Sequence, residues 1–84
     1  MSGLQIVFEG IRDSATKSRI ETALRVSIGD PPENAEWNVT VTSYGSYCTV
    51  LLEATQQTRR MMFFLAPEKL PEAITMWLKQ YPVR

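Results

Sequence analysis

The 84-residue chain contains no histidine. The side chain most often used for proton transfer near neutral pH is therefore missing, and so is the commonest metal ligand. Its single cysteine, Cys48, can close no internal disulfide and forms no zinc-binding spacing. The four glycines are dispersed as Gly3, Gly10, Gly29 and Gly45. No phosphate-cradling glycine loop, nucleophile elbow or calcium loop can be assembled from them. No apolar run is long enough to span a bilayer. The first residues, Met1 to Glu9, lack the basic start and apolar stretch of a signal peptide, which points to the cytoplasm; a lone thiol fits that address. Excess charge is also absent, with nine basic and nine acidic side chains. That balance argues against a long polyphosphate as the main partner. It also leaves little repulsion between copies of the chain.

What remains is a well-patterned fold over a single domain, residues 1–84. The hydrophobic content of 44% is ordinary for a globular chain. Residues 37–54 hold two runs of β-branched and aromatic residues around Gly45-Ser46. This is the composition of a hairpin with a two-residue turn of type II′. Counting outward pairs Tyr44 with Tyr47, Ser43 with Cys48, Val41 with Val50, Val39 with Leu52 and Trp37 with Ala54. One face then carries Trp37, Val39, Val41, Cys48, Val50 and Leu52. The other carries Asn38, Thr40, Thr42, Thr49 and Glu53, with Leu51 as an apolar exception. A one-residue slip would send every side chain to the wrong face.

Before the hairpin, Leu4 to Phe8 reads as a strand with Leu4, Ile6 and Phe8 on one side. A helix follows from an N-cap at Asp13 or Ser14. Its apolar stripe is Ile20, Ala23, Leu24 and Ile28, and Gly29 and then Pro31-Pro32 end it. Lys17, Glu21 and Arg25 form an i,i+4 series on its outer side. Val26 falls off the stripe. After the hairpin, Arg59 to Leu65 reads as a third meander strand that pairs Glu53 with Arg60, Leu52 with Met61, Val50 with Phe63 and Cys48 with Leu65. A second helix begins near Pro67 or Pro71, buries Leu70, Ile74, Trp77 and Leu78, and stops at Pro82. The expected fold is α+β in the order β-α-β-β-β-α, a mainly antiparallel four-stranded sheet with both helices on one face. The first strand fits either beside the second or at the far edge.

The same parity leaves the other sheet face without a covering layer. Val7, Leu51, Met62 and Phe64 lie on it, with Leu51 expected opposite Met62 and Phe64 opposite Thr49. A contiguous apolar patch on an open sheet calls for a partner, and the first expectation is a protein-interaction surface, in a homodimer or with another protein. The alternative is a single-stranded nucleic-acid platform using Tyr44, Tyr47, Arg59 and Arg60, since RNA-recognition domains stack bases on sheet aromatics. The basic-glycine-aromatic signature of such domains is absent from the central strand. The third reading, an enzyme using Cys48, is opposed by a strand-end cysteine's ordinary role as a small core residue. No catalytic residue, metal site or cofactor is expected.

Overall fold

The hairpin turn organises the sheet. In the computed structural model, which describes residues 3–83, Tyr44 donates its amide to the Tyr47 carbonyl at 2.8 Å. Gly45 takes φ +91° between them, where a side chain would be strained. β2 (Glu36–Ser43) and β3 (Cys48–Glu53) leave this turn antiparallel. Their register, from Ser43 opposite Cys48 to Val39 opposite Leu52, is the one counted from the sequence.

β1 (Gly3–Glu9) lies beside β2 and runs parallel to it, with Leu4 opposite Trp37 and Phe8 opposite Val41. The strand order is therefore β1-β2-β3-β4, and the choice that the sequence left open falls on the neighbour of β2. β1 ends at Gly10, where φ is +79° and an added Cβ would stand 2.5 Å from the Ser43 carbonyl oxygen. Only glycine lets the chain pass the end of β2 so closely before turning into the first helix.

β4 (Thr58–Phe63) completes the sheet, antiparallel to β3. Its register is two residues away from the sequence expectation. Cys48 pairs with Phe63 rather than Leu65, Val50 with Met61 rather than Phe63, and Glu53 with Thr58 rather than Arg60. The cause is the turn: Ala54 donates to the Gln57 carbonyl at 2.9 Å, so Thr55 and Gln56 form the tip. No glycine or asparagine marks that tip in the sequence. A two-residue shift preserves which face each side chain takes but changes its partner. Leu65 falls beyond the ladder, yet its carbonyl still accepts the Cys48 thiol at 3.6 Å.

Both helices cover one face. α1 (Ser14–Ile28) starts at Asp13, whose carboxylate accepts from the Thr16 amide at 3.0 Å and from its hydroxyl at 2.5 Å. It ends at Gly29, whose amide reaches the Arg25 carbonyl. Of the expected outer series, Arg25 and Glu21 pair at 3.0 Å, and no other ion pair forms among the described residues. A 3₁₀ turn at Pro67–Lys69 leads into α2 (Leu70–Gln80), so Pro67 opens the turn and Pro71 lies in the first turn of the helix. The core between the layers is Ile20, Leu24, Val39, Val41, Val50, Leu52, Leu70, Ile74 and Leu78 with Cys48. Phe63 meets Trp77 edge to face at 5.9 Å. Ile11 and Thr16 join the buried set although the helical stripe did not include them. Met61, which the expected pairing with Leu52 turns toward the core, is 39% exposed, because β4 is an outer strand with a neighbour on one side only.

The Asp13 cap gives the fold a pH signature. Hydrogen bonds from the Thr16 hydroxyl and amide hold its carboxyl below the ordinary 3.8. That contribution is complete above the ordinary value and is lost as the pH falls through the lowered one. Asp13→Ala is expected to melt below the parent at pH 7, and the gap in melting temperature, followed by circular dichroism, is expected to narrow in strong acid.

Candidate interaction surface

The register divides the open face into rows running across the strands. Gln5, Asn38, Glu53 and Thr58 make one row, Val7, Thr40, Leu51 and Arg60 the next, and Glu9, Thr42, Thr49 and Met62 the third. Beyond them, at the turn end, Tyr44 and Tyr47 stack with ring centroids 4.8 Å apart. Phe64 sits 6.1 Å from Tyr47. No described element covers these rows, since both helices pack on the opposite face.

All four expected patch residues are on this surface, but their grouping differs from the expectation. Leu51 lies opposite Arg60, not Met62, and Met62 lies opposite Thr49. Phe64 stands by Tyr47 rather than Thr49. The apolar area is therefore concentrated at the turn end, where Phe64 is 79% exposed and Tyr44 57%. Val7 is exposed too, two strands from Leu51 with Thr40 between. A shallow cleft of about 400 Å³ runs over the face between Glu9, Tyr47, Leu51, Arg60 and Met62. The Glu9 carboxylate is turned over the sheet, accepting from the Thr42 hydroxyl at 3.2 Å.

The two arginines proposed together as nucleic-acid contacts are on different faces. Arg60 belongs to the open face. Arg59 points to the helix side, where it donates to Gln57 at 2.8 Å, to the Pro82 carbonyl at 2.9 Å and to the Tyr81 carbonyl. It holds the segment just past α2 (Leu70–Gln80), at the Tyr81 cap and Pro82, against the end of β4. The open face is left with Glu9, Glu36 and Glu53 against Arg60 alone. Arg12, Lys17, Arg19 and Arg25 belong to α1 and the turn before it, in the other layer.

Cys48 is fully buried. Burial pushes its thiol above the ordinary thiol value, opposing nucleophilic use; a Ser43 hydrogen bond acts the other way, and the Glu68 charge adds to the rise. No group of three or more metal-binding side chains occurs among the described residues.

A second apolar surface, absent from the sequence reading, lies between the helices. Val26, 78% exposed, and Met76, 65% exposed, rim a groove of about 770 Å³ floored by Ala23 and Pro71. The signal was there in Val26, an aliphatic residue off the buried stripe.

Two measurements check these placements. Arg59→Ala is expected to lower unfolding free energy by about 1 kcal/mol through loss of the carbonyl contacts, while Arg60→Ala stays within about 0.5 kcal/mol of the parent in denaturant titration. Alkylation of Cys48 by iodoacetamide is expected to be slow in the native protein and fast only after unfolding; fast native alkylation contradicts the core placement.

No protein-family model matches the chain, and no curated protein matches it. Among solved structures, the chain is similar to the N-terminal domain of Thermus thermophilus Protein Y, with a TM-score of 0.52 at 10% identity over 92% of this chain and 94% of that one. At that identity the likeness is one of fold, and it places this chain among small α+β domains of common architecture.

Proposed function

We propose that this chain is a non-catalytic interaction module of the cytoplasm that self-associates through its bare sheet face. The observation that carries the reading is the joined apolar area of Phe64, Tyr47, Tyr44, Met62 and Leu51 on a face without a covering layer. Water around such a surface is released when two copies meet, which favours association in proportion to the apolar area buried. The chain as a whole carries no net charge, which limits long-range repulsion; the apolar burial acts against the excess of carboxylates on the face itself. Among the described residues no helix is long and apolar enough to cross a membrane.

Size sets the strength. Four strands spaced about 4.8 Å apart and about 20 Å long offer roughly 400 Å² of plan area. Two copies then bury on the order of 1,000 Å² in total, the lower end for specific contacts. The dimer is accordingly weak and concentration-dependent.

The nucleic-acid alternative draws little support from the arrangement. The stacked tyrosines share their face with three carboxylates and one guanidinium, and Arg59 is engaged with the segment just past α2. Phosphates approaching the aromatics meet mostly negative charge.

Light scattering after size exclusion over a wide concentration range tests the reading. The parent is expected to pass from monomer to dimer. The double variant Leu51→Glu/Phe64→Glu is expected to remain monomeric with a near-parental melting temperature. Val26→Ser, in the opposite layer, is expected to dimerise like the parent. A parent that stays monomeric at millimolar concentration contradicts self-association.

A further inference from the structure

We infer that the open face also takes a basic, extended segment of another protein, and that this segment displaces a second copy. The inference rests on the open face being a contact surface; it does not need two copies to meet there.

Charge selects the sign of the partner. Glu9, Glu36 and Glu53 point to this face, and Arg60 is its one basic side chain. The chain holds nine charges of each sign. Setting aside those three acids and one base leaves eight basic against six acidic side chains elsewhere. The neutral total thus conceals an acidic face on a slightly basic body. None of the four charged groups on the face belongs to an ion pair among the described residues. A second copy confronts these carboxylates with its own. A basic segment brings them the opposite sign and avoids that juxtaposition.

Position selects the shape of the partner. With strands about 4.8 Å apart and rows about 6.8 Å apart, Glu36 and Glu53 lie roughly 8 Å from each other at one end of the sheet. Glu9 is two strands and two rows from Glu53, roughly 17 Å away on the same spacings. An extended chain repeats its side chains on one side about every 6.8 Å, which matches the rows. Two basic residues about four to six positions apart in such a segment therefore reach both acidic ends together. The side chains between them pass over Leu51 and the cleft of about 400 Å³ bounded by Tyr47 and Met62, where apolar groups fit.

The Glu9 end is built for a cation in two ways. The Glu9 carboxylate leans over the face toward Thr42. Tyr44, one row beyond Thr42 and 57% exposed, lines the same cleft. A guanidinium placed there meets a carboxylate and an exposed ring, and both attract it. Arg60 stands on β4, outside a path from β3 to β1, and repels a cation from that edge.

The probe is a blocked synthetic peptide of pattern Arg-Ser-Leu-Ser-Leu-Ser-Arg, titrated at low salt and followed by backbone amide shifts. The amides of Glu9, Tyr47, Thr49 and Leu51 are expected to move, and those of α1 and α2 to stay. The same peptide with glutamate for arginine is expected to move none of them. Spermidine, basic but without apolar side chains, is expected to bind far more weakly. Glu9→Gln/Glu53→Gln is expected to weaken the arginine peptide about fivefold, the loss of two exposed ion pairs, with an unchanged melt by circular dichroism. Arg60→Glu, which adds acid to the face, is expected to tighten it. Where the parent dimerises, saturating peptide is expected to return it to monomer in sedimentation velocity. Shifts centred on the helices, equal binding of the glutamate peptide or spermidine, or variants that bind like the parent overturn the inference. A parent that never dimerises yet binds the peptide on the open face overturns self-association alone. A dimer indifferent to the peptide overturns this inference alone.

Discussion

Everything in this domain depends on one backbone contact, the Tyr44 amide bound to the Tyr47 carbonyl across Gly45-Ser46. It fixes which residue opposes which in the central hairpin, and side-chain alternation does the rest. Val39, Val41, Val50 and Leu52 are committed to the helix layer, and the same parity sends Thr40, Thr42, Thr49 and Leu51 outward. The core and the bare face are thus two results of one turn. The apolar surface cannot be removed by re-registering the strands without also exposing the core.

Legibility in the sequence followed how locally each feature was determined. The hairpin was readable because a glycine tip and two alternating runs agree, and both act over neighbouring residues. The helix limits at Asp13 and Gly29 were readable for the same reason, through cap chemistry. The β3–β4 register was not: Thr55-Gln-Gln-Thr58 has no residue that demands a particular turn, so the Ala54–Gln57 contact had to be found in the structure. That shift moved Leu51 from Met62 to Arg60 and brought Phe64 to Tyr47, changing the make-up of the patch while leaving its members in place. Met61 was misjudged because parity gives the direction of a side chain but not the depth of the layer above it.

The separation of Arg59 from Arg60 carries a similar lesson. Adjacent in sequence, they look like one basic pair, but strand geometry puts them on opposite faces. One binds the segment just past α2 and the other stands among threonines and apolar residues on the open side. The open face consequently carries acid on three strands, at Glu9, Glu36 and Glu53, and base on β4 alone, at Arg60.

β1 borders the sheet and has β2 as its only strand partner, so half of its backbone groups face outward without a ladder. Leu4 to Phe8 contains neither charge nor proline, the composition that favours strand addition by a foreign chain. Glu9 and Gly10 close that stretch, a carboxylate acting as gatekeeper and a bend that stops the ladder. Fibril growth through lateral addition, rather than loss of the folded core, is therefore the hazard this domain faces when concentrated, and the charge at the end of β1 is its nearest safeguard.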